Sequence, residues 1–161
     1  MKLTFKNDTF KILQIADTQE GRKVSPDTMA LINAALDREE PDLVVYSGDQ
    51  IWGRGFHGDV NQVRRVLKEL TAPVVERHLP FAICFGNHDR QVGLDNRAQF
   101  EIYKEIPGFI GEDTPGVDGV GNCVLEIADG DRPGYLLYLI DSHSSLKVGY
   151  DHVHQNQIDW Y

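Results

Sequence analysis

The sequence has few of the features that mark membrane, secreted or nucleic-acid-binding proteins. It contains only two cysteines, Cys84 and Cys123, in or near apolar segments, so we expect buried free thiols and no disulfide framework. No apolar run approaches the length of a membrane span or a secretion signal, and we expect no membrane association. The formal net charge is −9 without a block of Lys and Arg, which argues against a nucleic-acid partner. A reducing cytoplasm is therefore the expected location.

The length of the chain bounds its organisation. Its 161 residues suffice for one hydrophobic core, and we interpret residues 1–161 as a single domain. The last residues, Trp160 and Tyr161, follow the beginning of a predicted helix and carry large apolar side chains. We therefore expect the N-terminal portion of a longer domain, and a homo-oligomer that covers the face left open.

Short apolar runs alternate with helical patterns in the first half of the chain. Three such runs predict strands, at residues 10–16, 42–46 and 80–85. Between them, Ser25 before Pro26 and Asp59 before Gln62 mark two helix starts. Pro73 lies inside the second helical pattern and predicts a kink or two successive helices. The alternation predicts an α/β fold built on a βαβαβ unit with parallel strands.

The second half of the chain has a different pattern. Asp95 is a candidate cap for a helix that reaches Ile106. Residues 122–127 and 135–140 predict two strands, and the Gly- and Asp-rich segment between them predicts a turn. We expect these two strands to form an antiparallel hairpin.

Each of the three predicted parallel strands is followed by an oxygen-bearing side chain. These side chains are Asp17, Asp49 and Asn87, and the carboxyl ends of parallel strands meet at one edge of a sheet. Two hard metal ions about 3.5–4 Å apart need a bridging carboxylate with flanking ligands. Asp49 follows the central strand and is the predicted bridge, while Asp17 and Asn87 would each bind one ion.

Other polar residues near these strand ends complete the predicted site. His88 is a candidate general acid for the leaving oxygen, and Asp89 is predicted to orient that imidazole or to cap the next helix. Arg54, His57 and Arg90 are candidates for contact with a phosphate group. The alternative for the segment around His88 is a plain turn without chemistry.

Three short motifs carry a family resemblance. In order along the chain, Asp17-x-Gln19, Gly48-Asp49 and Gly86-Asn87-His88-Asp89 resemble the first three motifs of the calcineurin-like metallophosphoesterases. The segment from residue 139 to 160 is similar to the branch related to purple acid phosphatases and Dcr2-type phosphatases. The resemblance implies a four-layer α-β-β-α sandwich, of which this chain holds the N-terminal βαβαβ unit and the following hairpin. It also implies hydrolysis of a phosphate ester, in a small molecule or a phosphoprotein, at a dinuclear Mn, Fe or Zn centre.

The sequence departs from the family pattern in two places. Gln19 stands where the family has histidine, and an amide oxygen favours Mn or Mg over Zn or Fe. The last two family motifs, which supply three imidazoles, are absent up to residue 161, so we expect this chain alone to be inactive. His143 and the pair His152 and His154 are alternative ligands, although a solvated loop is the favoured interpretation of that pair.

A second function remains open on the same fold. A catalytically degenerate metallophosphoesterase fold could serve as a protein-binding module. Gln19 favours that alternative, whereas the intact Asp49, Asn87 and His88 oppose it. A nucleotide-binding α/β domain is less consistent with the sequence, which has no G-x-G-x-x-G or Walker motif.

Overall fold

The computed structural model describes residues 2–53 and 55–161. The strands in chain order are β1 (Leu3–Thr4), β2 (Ile12–Ile15), β3 (Leu43–Ser47), β4 (Phe81–Cys84), β5 (Cys123–Asp129) and β6 (Arg132–Leu139). The helices are α1 (Pro26–Glu39), α2 (Val60–Glu76), α3 (Asn96–Lys104) and α4 (Gln155–Trp160), with a short 3-10 helix at Asp89–Val92.

The helices begin at the residues that the sequence marks. The side chains of Ser25, Asp59 and Asp95 each accept hydrogen bonds from backbone N–H groups in the first turn of α1, α2 and α3. Helix α2 continues through Pro73, so two successive helices are not formed, and the alternative of a kink at Pro73 stays a prediction. Pro73 is buried on the apolar face of α2, and the packing of that face in the core holds the helix across the missing hydrogen bond.

The strands form two sheets. Strands β2, β3 and β4 are parallel with β3 in the centre, as the βαβαβ prediction requires. Strands β5 and β6 form the predicted antiparallel hairpin, which begins its return at Arg132 and contains a bulge between Ile127 and Ala128. The sequence did not predict β1, which pairs in parallel with β5.

Apolar side chains fill the space on both faces of the β2-β3-β4 sheet. On one face, Val44 and Tyr46 belong to a buried cluster that includes residues from α1, α2 and α3. On the other face, Leu43 and Val45 pack in a cluster with Leu125 and other residues of the β1-β5-β6 sheet. A layer of helices and two facing sheets therefore enclose β3, whose residues from Leu43 to Tyr46 are at most 6% exposed. This burial fixes the position at which β3 ends.

Two further expectations can be compared with the fold. Cys84 and Cys123 are both free, and burial raises the pKa of the Cys84 thiol to about 11. No helix in the described part of the chain has both the length and the apolar character that a membrane crossing requires.

Candidate metal centre

The loops that follow β2 and β3 run side by side beyond the sheet. The backbone N–H of Asp17 donates to Gly48 O over 3.1 Å, and that of Gln19 donates to Asp49 O over 2.8 Å. These bonds continue the parallel pairing past the last strand residues. Asp17 and Asp49 are therefore held at neighbouring positions on one edge of the sheet.

The backbone is unusual at the predicted ligands. Asp17, Gln19 and Asp49 have φ angles of 56°, 46° and 55°, in the left-handed region that residues other than glycine seldom adopt. Each such residue costs folding free energy, on the order of 1–3 kcal/mol, and such residues concentrate at functional sites. The hydrogen bonds from Asp17 N–H to Gly48 O and from Gln19 N–H to Asp49 O hold the backbone in this conformation.

Two glycines allow the turns after β3 and β4 to approach each other. A Cβ added at Gly86 would lie 2.1 Å from Asp49 Oδ1, and one added at Gly48 would lie 3.0 Å from the Gly86 Cα atom. Asp49 Oδ1 also accepts a 2.8 Å hydrogen bond from the backbone N–H of His88. Glycine is therefore required before Asp49 and before Asn87, because a side chain at either position would collide with the neighbouring turn.

The buried carboxylate of Asp89 joins the turns that follow β3 and β4. Its carboxylate accepts hydrogen bonds from the backbone N–H groups of Asp49 (2.9 Å), Gly86 (2.8 Å) and Ile51 (3.2 Å), and the residue is 1% exposed. Burial raises the pKa of this carboxyl to about 6, because the desolvation of the charge outweighs the three amide bonds. Asp89 therefore neither orients the imidazole of His88 nor caps a helix; it fixes the backbone that carries Asp49 and Asn87.

The three predicted ligands that end the parallel strands face one cavity. Asp17, Asp49 and Asn87 line a space of about 280 Å³. The carboxylate of Asp17 and the amide of Asn87 make no hydrogen bond to any described residue. The lining of the cavity also includes His143 and Asp151. Two carboxylates and an amide oxygen facing a polar cavity are a donor set that suits a hard divalent cation such as Mg²⁺ or Mn²⁺.

Two other predicted site residues, Gln19 and His88, are not among the residues that line this cavity. Gln19 is half-buried in the loop after β2 but is not part of the cavity wall. The His88 ring lies against Trp52, with 5.7 Å between the ring centroids, and its Nδ1 is buried without a hydrogen-bond partner among the described residues. The roles of Gln19 as a ligand and of His88 as an acid stay predictions.

The predicted phosphate-contact residues His57 and Arg90 do not line the metal cavity. His57 is exposed in the loop between β3 and α2. Arg90 is exposed and donates from Nη2 to the backbone carbonyl of Ser145 over 2.8 Å. Arg54 lies outside the described residues.

A histidine and carboxylate cluster lies beside the cavity. One ring nitrogen each of His143 and His154 and one Asp151 oxygen lie within 4.8 Å of one another. Spacing along the sequence makes His152 and His154 an alternative ligand pair, with a solvated loop favoured; the His152 side chain is 79% exposed and outside the cluster, whereas His154 belongs to it. The relevant pairing joins residues 11 positions apart in loops, where local periodicity gives no signal.

Comparison with known proteins gives a consistent result. Residues 10–159 match the family model described as calcineurin-like phosphoesterase. An uncharacterized protein of Schizosaccharomyces pombe is 32% identical over 94% of this chain and 32% of its own length. Phosphatase DCR2 of Saccharomyces cerevisiae is 32% identical over 92% of this chain and 30% of its own length. Probable inactive purple acid phosphatase 14 of Arabidopsis thaliana is 28% identical over 99% of this chain and 48% of its own length. The chain thus spans about a third of the two fungal relatives and about half of the plant relative.

Proposed function

This chain belongs to the calcineurin-like phosphoesterase family, and we propose that it supplies one wall of the metal centre of a phosphoesterase. The family and the similarity to a protein named phosphatase support hydrolysis of a phosphate ester in general. The observation that carries the proposal is that Asp17, Asp49 and Asn87 end three neighbouring parallel strands and line one cavity.

The three residues divide the proposed work by position. Asp49 follows the central strand and would bridge two ions, while Asp17 and Asn87 would each hold one. When bound, such ions acidify a water molecule and withdraw charge from a phosphoryl oxygen. Because the donors are oxygen atoms, we favour Mn or Mg over Fe or Zn, with Gln19 as a further proposed ligand.

Neighbouring residues would act on the substrate or on the ligands. We keep His88 as the proposed general acid, supported by the hydrogen bond from its backbone N–H to Asp49 Oδ1, although its ring lies against Trp52. Asp89 is a positioning residue, because its carboxylate binds only backbone groups of the turns. Arg54, His57 and Arg90 remain candidates for phosphate contact in a small-molecule or phosphoprotein substrate.

This chain alone is proposed to be inactive or nearly so. Asp17, Asp49 and Asn87, with Gln19 as the further candidate, offer at most four ligand groups, whereas a hard cation takes about six, and water would occupy the remaining positions. On the outer edge of the β2-β3-β4 sheet, strand β2 has no strand partner among the described residues, and Ile12 and Leu31 beside it are 40% and 70% exposed. The face of this sheet that was expected to be open is packed against the β1-β5-β6 sheet, so that part of the expectation is wrong. We propose instead that a second copy of the chain covers the edge at β2.

A binding module without catalysis is the alternative function. It is favoured by the position of Gln19 outside the cavity wall and by the name of the plant relative, which calls that protein probably inactive. The two functions differ in whether the complete protein turns over substrate.

The test is hydrolysis of a chromogenic phosphate ester with Mn²⁺ by the complete protein, its Asp49→Asn variant, and this chain. Asp131→Asn is the matched control, because Asp131 is exposed in the hairpin turn. We expect turnover by the complete protein and its control only. No turnover by the complete protein would favour the binding module, and comparable turnover by this chain would show that the metal site is misplaced.

A further inference from the structure

We propose that His143, Asp151 and His154 form a second metal site, which takes a borderline divalent ion such as Zn²⁺. This site differs in chemistry from the oxygen donors Asp17 and Asp49, which line the same cavity as His143 and Asp151. It contains two imidazoles and one carboxylate. The inference does not depend on the proposed phosphoesterase activity, because its test is metal binding.

The three side chains are already close together. Their candidate ligand atoms lie within 4.8 Å of one another, and all three residues are half-buried. Two ligands of a tetrahedral zinc ion lie about 3.3 Å apart, given bond lengths of about 2.0–2.1 Å. The imidazole rings of His143 and His154 are stacked, with centroids 4.0 Å apart. The donor atoms are therefore farther apart than in a formed site by at most about 1.5 Å, and we propose that the ion would draw them together.

A buried amide network determines which nitrogen of His143 is free. The backbone N–H of Asp141 donates to Asn122 over 2.9 Å, which identifies the accepting atom as Oδ1. The Gln157 atom that lies 3.0 Å from this oxygen must then be the donor Nε2. Gln157 Nε2 donates in addition to Asp141 O over 2.7 Å. Gln157 Oε1 is then an acceptor, and it faces His143 Nε2 at 3.0 Å. His143 therefore carries its hydrogen on Nε2, which leaves the lone pair on Nδ1 for a ligand.

His154 has the corresponding arrangement with a carboxylate. Its Nδ1 lies 2.8 Å from Asp118 Oδ2, and its Nε2 lies 3.3 Å from Asp151 Oδ1. Because Asp118 accepts the hydrogen of Nδ1, the lone pair of the neutral ring is on Nε2. This atom lies beside the Asp151 oxygen, and the two would bind the same ion. Histidines that bind metals usually donate their other ring N–H to a carboxylate or carbonyl oxygen. Both His143 and His154 have such a partner.

The donor set selects the class of ion. Two imidazoles with one carboxylate, leaving a position open for water, form the ligand set of many zinc sites. Mg²⁺ and Mn²⁺ favour oxygen ligands, as at Asp17 and Asp49. The chain therefore presents two donor sets that a comparison of ions can separate.

Calorimetric titration of this chain with Zn²⁺ and with Mn²⁺ tests the proposal, with cobalt absorption as a spectroscopic probe. Hydrogen bonds to Asp118 and Asp151 raise the pKa of His154, so the titrations are made at about pH 8 to favour the neutral ring. We expect the His143→Ala and His154→Ala variants to lose Zn²⁺ affinity by at least about 100-fold and to keep their Mn²⁺ affinity. Asp49→Asn should lose Mn²⁺ affinity and keep its Zn²⁺ affinity. His152→Ala, at an exposed neighbouring residue, should change neither affinity.

Two results would overturn the second site. The first is unchanged Zn²⁺ affinity in both histidine variants, and the second is equal loss of Zn²⁺ in Asp49→Asn, which would indicate one shared centre. Asp118→Asn provides a variant that leaves every proposed ligand in place. It should weaken Zn²⁺ binding by about 10- to 100-fold through the ring of His154. If it binds Zn²⁺ like the original chain, the assigned orientation of His154 is wrong.

Discussion

Replacement of Asp89 by asparagine separates two opposing effects on a buried carboxyl. Three backbone N–H groups favour its charged form, whereas burial favours its neutral form. Burial prevails and raises the pKa from the ordinary 3.8 to about 6. The folded chain therefore holds this proton more tightly than the unfolded chain does.

The sign and size of the effect follow from proton linkage. The stability contributed by the protonated carboxyl is fully present below its unfolded pKa of 3.8 and is lost as the pH rises through about 6. The complete difference is about 3 kcal/mol, of which about 1.3 kcal/mol falls between pH 5 and pH 7. Asparagine does not titrate, so the free energy of unfolding of the original chain minus that of Asp89→Asn should fall by about 1.3 kcal/mol from pH 5 to pH 7.

Urea unfolding followed by tryptophan fluorescence measures this difference, with EDTA present to exclude metal ions. The exposed Asp131→Asn variant is the control, and its difference from the original chain should not change with pH in this way. If the Asp89→Asn difference instead grows as the pH rises, the three amide bonds outweigh desolvation, and the assigned direction of the pKa shift is wrong.

Three further changes test particular features of the site and the fold. In the complete protein, His88→Asn should keep Mn²⁺ binding but lower turnover by about 10²–10⁴-fold; equal loss of metal would make His88 a ligand. Gly86→Ala should lower the free energy of unfolding by about 1–3 kcal/mol, because its Cβ would lie 2.1 Å from Asp49 Oδ1. Gly21→Ala, where a Cβ meets open space, is its control in urea unfolding, and equal stability of the two variants would contradict the close approach. Asp59→Ala removes two hydrogen bonds at the start of α2 and should cost about 1 kcal/mol by the same measurement; an unchanged midpoint would show that solvent replaces the cap.

Much of the fold was predictable because its signals are local. Ser25 and Asp59 mark helix starts through bonds to the next few residues, and the apolar runs that become β3 and β4 lie between clear breaks. Strand β1 could not be found this way, since its two residues pair with β5 more than a hundred positions later. Pro73 shows the opposite failure, in which tertiary packing overrides a correct local rule.

The site divides along the same line. Asp17, Asp49 and Asn87 were predictable as neighbours because the ends of parallel strands converge. The contacts of Asp89 were not, because two of its amide partners lie 38 and 40 residues away, and local rules predict a helix cap. The association of His143 with His154 likewise depends on the buried side chain of Gln157, which the sequence shows only as one polar residue in a short helix.

The claim that Asp49 belongs to a metal site is tested most directly by Mn²⁺ binding to this chain. Electron paramagnetic resonance of free Mn²⁺ would compare the original chain with Asp49→Asn and with the exposed control Asp131→Asn. Because loss of a ligand charge weakens a hard-cation site, we expect weak binding that falls at least about tenfold in Asp49→Asn and is unchanged in the control. Equal Mn²⁺ affinity in all three proteins would contradict the assignment of this cavity as the metal centre.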